Sequence, residues 1–403
     1  MSFRWRAAFA CVLFLLGVTQ VTAQESASEI RVTTDVRYEL IGTWDVDRLN
    51  RILTDDFPKF AGIDVAYPAA TNAVRLYRVS YMSVVPEQGN RPIEATGLIA
   101  IPDTEGKSFP MLSYQHGTVY GKEEVPSDPE NSPETQLMIA LFAGQGYVVI
   151  GADYFGMGAS TEPEGYLVKG SHQQATYDML VASRAVMDEM DVASTKLFLS
   201  GWSQGGFVTM AMLEKLEAAG IEPAAAATAS APLDLFPLME GYLLFPRPND
   251  ASWINSVMIL SAFAYENYYG VPGLARSLFV EEHYETARKA YERVPADVTT
   301  IPTDLRKLIR PEYFEPGYFG RSAFGRLVAN AHTYRWVIGA PVRNYYGETD
   351  EAIPVGIGQI GMFYQHAMGT GNQKVEAVST GPTTHRGTYA RAAVEWKKWF
   401  DGL

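Results

Sequence analysis

Residues 197–212 read LFLSGWSQGGFVTMAM, and the fold turns on how this stretch is read. A strand-forming apolar run, LFL, passes through two glycines into a run of good helix formers that continues to residue 219 and stops at Gly220, a suitable residue just past a helix end. Between the runs, GWSQG places Ser203 in a G-x-S-x-G pattern. In such an elbow a strand turns sharply into a helix and holds the serine in a strained conformation at the edge of a sheet. Gly201 and Gly205 are then required because neighbouring backbone passes where a Cβ would sit. The Ser203 hydroxyl would face a cleft, and the Gln204 amide at the helix N-terminus would face any anion formed there.

Working outward, strands and helices alternate. Residues 74–84 and 95–102 read as strands joined by a tight PEQGNRP connection, and 109–117 and 146–153 as buried strands separated by the helical ETQLMIALFAGQ. Residues 177–190 read as a helix, 196–200 as the strand before the elbow, and 224–235 as the strand after the elbow helix. A further apolar strand begins near 340, and KVEAVST (374–380) precedes a last helix. This order predicts an α/β protein with a mostly parallel sheet and helices on both faces.

A serine hydroxyl is a weak nucleophile at neutral pH until a base takes its proton, and the base needs an orienting acid. Asp350 stands in the loop of APVRNYYGETDEAIP (340–354), with Glu348 and Glu351 as neighbouring alternatives. His385 opens the last helix in GPTTHRGTY, so the order is Ser203, Asp350, His385, the order of the α/β-hydrolase fold. His172, His283, His332 and His366 read as surface or packing groups. EEHYE (281–285) lacks a second histidine at metal-binding helical spacing and reads as a solvated helix face, so no metal site is expected. A second donor for a developing oxyanion is expected after the strand ending SYQHG: the Thr118 amide, or alternatively that of Gly117, beside that of Gln204. His116 reads as a group that fixes this loop, and the triple-glycine HGGG signature is absent.

On SYQHGT, ADYFGMG (152–158), GWSQGG, GETDEAIP and THRG, the chain resembles the secretory lipase family of α/β-hydrolases over roughly residues 74–402. The resemblance implies the α/β-hydrolase fold, a Ser203/Asp350/His385 triad, carboxylic ester substrates of small-molecule or lipid type, and no cofactor. Tyr154 and Trp202 are candidate pocket walls. Trp202 stands where tyrosine is commoner in the family, and the disulfides of many relatives cannot form here.

The hundred or so residues between the strands near 229 and 340 exceed one crossover. Residues 236–336 hold 18 aromatics against 12% for the chain as a whole, which predicts a helical cap walling an apolar acyl pocket. The expected organisation is a core over 36–235 and 337–403 with the cap inserted between. On this reading activity should rise from acetyl to butyryl or hexanoyl esters. A capped aminopeptidase shares the machinery and would need a cap acid for a free amine, with Glu240, Glu266, Glu281 and Glu282 as candidates. A non-catalytic binding protein on the same fold is the third alternative.

Arg4 and Arg6 precede AAFACVLFLLGV and the small residues of VTAQ, which predicts a signal peptide over 1–23, cleaved near Ala23, then a loose lead-in over 24–35. The mature protein would be secreted or periplasmic with no membrane span. Cys11, the sole cysteine, would leave with the signal, excluding internal disulfides and thiolate chemistry. So would two arginines and no acids, taking the net charge from −13 to −15 and arguing against nucleic acid or anionic membranes as partners.

Overall fold

The computed structural model describes residues 29–369 and 374–403. The expected signal peptide, and the lead-in up to residue 28, lie outside the described residues. The end of the lead-in is not loose: β1 (Ile30–Arg31) pairs antiparallel with β2 (Val36–Trp44).

Eight more strands complete one sheet: β3 (Val74–Val85), β4 (Arg91–Pro102), β5 (Ser108–Gln115), β6 (Val148–Ala152), β7 (Ala193–Trp202), β8 (Ala225–Ala229), β9 (Val342–Tyr346) and β10 (Val375–Ser379). Their order is β1-β2-β3-β4-β6-β5-β7-β8-β9-β10. Pairing is antiparallel from β1 through β4 to β6 and parallel from β6 to β10, so the parallel part forms the half in which β7 is central. The sequence explains the division. VVIGA of β6 and AAATA of β8 are buried along their whole length, as strands covered on both faces must be. The β3–β4 hairpin closes through Gly89 and Asn90, both at positive φ (65° and 60°).

Successive side chains of a strand face opposite sides. In β4, Ile99 and Ile101 therefore join one apolar cluster while Leu98 and Ala100 join the other. One face carries α4 (Lys169–Glu189), α5 (Gln204–Ala218) and α13 (Val355–Ala367); the other carries α1 (Val46–Arg51), α2 (Phe57–Ala61), α3 (Pro133–Leu141) and α14 (His385–Asp401).

Between β8 and β9 lie α6 (Leu235–Leu244), α7 (Ile254–Tyr268), α8 (Leu274–Leu278), α9 (Glu281–Glu292), α10 (Leu305–Leu308), α11 (Tyr318–Arg321) and α12 (Ala323–Val328). Aromatic rings knit this segment: Phe263 packs on Phe279, Tyr284 and Tyr291 at centroid distances of 5.5–5.8 Å. Glu281 and Glu282 lie exposed on the first turn of α9. The strand expected over 224–235 stops at Ala229. Ser230 turns the chain at φ 48°, Pro232 lacks an N–H for a ladder, and the Asp234 carboxylate caps α6 by accepting the Phe236 N–H at 3.2 Å.

Among the described residues no helix is long and apolar enough to cross a membrane.

Candidate active site

Ser203 sits at the β7–α5 turn with φ 56° and ψ −124°, a conformation that costs a non-glycine residue of the order of 1–3 kcal/mol. The surrounding structure imposes it: the Ser203 N–H donates to the Ala229 carbonyl at 2.9 Å while its own carbonyl accepts from Gly206 at 2.9 Å. Side chains are excluded on either side. A Cβ on Gly201 would meet the Gly205 carbonyl oxygen at 2.2 Å, and one on Gly205 would meet that of Gln115 at 1.9 Å.

The loop after β9 and the first turn of α14 bring the partners. His385 Nε2 lies 2.9 Å from Ser203 Oγ, and its Nδ1 lies 3.0 and 3.1 Å from the two Asp350 carboxylate oxygens. The helix start is fixed by Thr384, whose hydroxyl accepts the Gly387 N–H at 3.1 Å. Asp350 is 2% exposed and also accepts from the Ser230 hydroxyl (2.6 Å) and the amides of Ala352 (2.8 Å) and Ile353 (2.9 Å). Burial alone would raise its pKa. The facing His385 and the hydrogen bonds from His385, Ser230 and Ile353 outweigh that and hold the carboxyl below its ordinary value.

The other two acids of the loop do different things. Glu351 accepts the His385 backbone N–H at 2.8 Å, and Glu348 is exposed, bonded to Ser379. Neither reaches the imidazole ring. Nor do His172, His283, His332 and His366 hydrogen-bond to Ser203 or Asp350; His172 is buried, accepting the Leu167 N–H at 3.0 Å.

The two sequence candidates for the second oxyanion donor are separated by a residue outside both. The Gly117 N–H donates to Glu134 Oε2 at 2.7 Å, which removes the Gly117 alternative. The Thr118 amide has no backbone or side-chain acceptor among the described residues, and its hydroxyl is paired with that of Tyr166 at 2.8 Å. Gln204 opens α5, so its amide is among the first-turn donors that a helix leaves without an internal partner. Thr118 and Gln204 both border the space beside Ser203. His116 is buried behind them, its Nδ1 2.8 Å from the Gly117 carbonyl and its Nε2 3.3 Å from that of Asp153; burial pushes its imidazole down to about 4, so its single N–H can serve one of the two.

Of the two candidate pocket walls, Trp202 borders the cavity over Ser203. It is also structural, since its indole N–H donates to the His385 carbonyl at 3.2 Å and its ring stacks on Tyr389 at 5.0 Å. Tyr154 is corrected: 3% exposed, it stacks on His116 at 4.1 Å and donates its hydroxyl to the His116 carbonyl at 3.0 Å, so it braces the loop from behind and does not border the cavities beside Ser203. Sequence reasoning missed Ser230, Trp253 and Glu134. Only Glu134 left a trace, as the lone acid of α3, one residue into the PETQLMIAL run.

The Ser203 hydroxyl opens on a cavity of about 550 Å³ shared with His385, Trp202, Trp253 and Arg386. No group of three or more His, Cys, Asp or Glu residues placed to hold a metal ion occurs among the described residues.

The model of the Prolyl oligopeptidase family matches residues 133–224, which include β6, α4, the elbow and α5. No curated protein matches the chain in sequence. Among solved structures, a Legionella pneumophila protein described as a hydrolase superposes with TM-score 0.79 at 20% identity, over 91% of this chain and 96% of its own. The rice cell wall degrading esterase LipA of Xanthomonas oryzae, in a ligand-bound form, gives TM-score 0.75 at 21% identity, over 91% and 97%. Closed Candida antarctica lipase A gives 0.61 at 14%, over 90% and 82%. The chain has the α/β-hydrolase fold.

Proposed function

We propose that this protein is a serine carboxylic ester hydrolase working through an acyl-enzyme. The observation that carries the proposal is the unbroken chain Ser203 Oγ to His385 Nε2 to Asp350, 2.9 and 3.0 Å long, anchored on a serine whose backbone is strained. Ser203 Oγ attacks the ester carbonyl carbon as its proton passes to His385 Nε2. Asp350 holds Nδ1–H toward itself, fixing the tautomer, and its charge stabilises the imidazolium. The amides of Gln204 and Thr118 receive the oxyanion. The C–O bond to the alcohol then breaks with the His385 proton going to the leaving oxygen, and water repeats the sequence to free Ser203 and the acid. The neighbours named as an esterase and a lipase support this reading.

The family match over 133–224 favours a peptidase as the second reading. A free substrate ammonium would need an acid over Ser203; none of Glu240, Glu266, Glu281 and Glu282 borders either space beside it, and Glu351, which borders the cavity over Ser203, already accepts the His385 backbone N–H at 2.8 Å. Glu266 is instead bonded to the Ala275 N–H at 2.8 Å. Export through a signal peptide cleaved near Ala23 belongs to the same proposal and rests on residues 1–23 alone.

The test is turnover of an acetyl aryl ester beside an alanyl anilide, with Ser203→Ala as control. Ester hydrolysis should predominate and fall by about 10⁵-fold or more in the variant. A folded Ser203→Ala protein keeping a tenth of the wild-type rate would sink the nucleophile; preference for the anilide would favour the peptidase.

A further inference from the structure

We infer that the site takes esters of a very short acyl group, acetyl above all, with a bulky and largely apolar alcohol. This rests on the ester hydrolase reading and deepens it.

Ser203 borders two spaces, and chemistry decides which part of the ester each receives. His385 must hand its proton to the leaving oxygen, and it lines the larger cavity of about 550 Å³, so the alcohol lies there. The carbonyl oxygen must face the Gln204 and Thr118 amides. Thr118 borders both spaces, but Gln204 borders only the second, a slot walled by Leu235, Leu238, Tyr242, Val257 and Ile353; with the alcohol on the His385 side, the rest of the acyl group points into this slot. That slot holds only about 20 Å³. That is little more than one water needs, so a methyl is seated with least displacement of the walls.

The walls are held. Tyr242 donates its hydroxyl to the Ala352 carbonyl at 2.7 Å, which ties the slot to the loop carrying Asp350. Leu167, another wall of the slot, adopts φ 55° and is pinned through its N–H to His172 (3.0 Å) and through its carbonyl to the Tyr265 hydroxyl (3.2 Å). Leu235 and Leu238 are almost completely buried. A longer acyl chain would have to displace packed side chains rather than fill an existing pocket.

On the alcohol side there is room to spare. The larger cavity shares Trp253 and Tyr120 with a third, apolar cavity of about 570 Å³, lined by Ile259, Leu260, Val294, Val298 and Ile301. The cap therefore faces both parts of the ester: Leu238, Tyr242 and Val257 wall the acyl slot but leave it narrow, and the room expected for a longer acyl chain lies instead on the alcohol side.

The experiment has two series. The first compares 2-naphthyl acetate, propionate, butyrate and hexanoate. kcat/KM should peak at acetate and fall about tenfold or more by butyrate, since one surplus methylene in a closed pocket costs that much. Leu238→Ala, with Val257→Ala as a milder second variant, should raise the hexanoate-to-acetate ratio about tenfold or more. The second series compares methyl with octyl acetate. The octyl ester should be favoured by about tenfold or more, and Val298→Asp, at an exposed position of the third cavity, should reduce that ratio. Butyrate equal to or better than acetate would overturn the acyl assignment, and equal kcat/KM for the two acetates would overturn the alcohol assignment. Either failure leaves the ester hydrolase reading standing if esters are cleaved and a phosphonate labels Ser203; hydrolysis of no ester at all would end both.

Discussion

Glu134 is the residue whose placement says most about the site. Buried in α3, its Oε2 accepts both the Gly117 N–H (2.7 Å) and the Tyr114 hydroxyl (2.8 Å), so it anchors the loop that presents the Thr118 amide. Glu134→Ala should lower kcat about tenfold to a hundredfold with KM little changed, less than the loss of a whole oxyanion donor, while Glu134→Gln, which keeps an acceptor, restores most of it. Equal kcat losses in the two variants would count against a positioning role. Burial pushes the Glu134 carboxyl up to about 7, against the opposing hydrogen bonds from Gly117 and Tyr114 and the field of His385. Its proton is held more tightly folded than unfolded, so stability is lost as pH rises from the unfolded value toward and through 7. The Tm of wild type should therefore fall relative to Glu134→Gln between pH 5 and pH 8. At Asp350 the prediction is sharper: Asn there should cut turnover by about 10³–10⁴, whereas Glu348→Gln, on an exposed side chain, should leave it unaltered. The reverse pattern would reassign the acid.

At the scale of elements, the elbow depends on close backbone approach between β5, β7 and α5. A Cβ on Gly205 would lie 1.9 Å from the Gln115 carbonyl oxygen, a backbone atom fixed in the sheet, so Gly205→Ala should destabilise by about 3 kcal/mol or more and lower yield of folded protein. Gly220→Ala is the contrast: φ is +73° but nothing lies within 4 Å, so the cost is about 1–2 kcal/mol of backbone strain. Chemical denaturation of the two variants makes the comparison. These elements also show why some of the chain was legible and some not. Fully buried strands such as Val148–Ala152 are apolar throughout and declare themselves. β2 does not, because its register shifts between Leu40 and Gly42 and Leu40 is 41% exposed, which breaks the two-residue alternation that marks a strand. β8 was read too long because AAAATASAPLD continues its apolar composition, and only the turn at Ser230 ends it.

Across the whole molecule, buried histidines set the response to acid. Burial pushes His116 down to about 4 and His172 down to about 3, so both are neutral in the fold near neutral pH. The unfolded chain takes up these protons near pH 6.5 and the folded one does not, so stability falls as pH drops below 6.5 and continues to fall toward 4 and then 3. Glu134 works the other way between 7 and its unfolded value, and Asp350 adds a loss only at the acid end. The midpoint of thermal unfolding should thus drop between pH 6.5 and 4, and replacing His172 and His116 together by Gln should flatten that drop. An unchanged slope would mean that other groups govern acid unfolding. The cap is tied into the same structure: Arg293 of its α9 terminus bonds to buried Glu164 at 2.7 Å and to the Tyr120 carbonyl at 2.9 Å, joining cap, core and the loop beyond Thr118.

Sequence by itself determined what depends on neighbours along the chain. The elbow follows from glycines two residues either side of Ser203, the parallel half of the sheet from short apolar runs alternating with helices, and the order of Ser203, Asp350 and His385 from their places at strand ends. What involves residues far apart was decided only by the tertiary structure. Three acids lie within four positions of each other, and the packing of β9, Ser230 and α14 puts Asp350 on the imidazole, Glu351 on the His385 backbone and Glu348 in solvent. Gly117 loses its donor to a carboxylate 17 residues on. The acyl slot is closed by side chains from α6, α7 and the loop after β9 meeting over Gln204, with Tyr242 and Trp253 among them, while other aromatic residues of the cap pack on one another, as Phe263 does on Phe279, Tyr284 and Tyr291. Composition counts apolar side chains in a segment; the room left between them depends on the directions from which separate segments arrive.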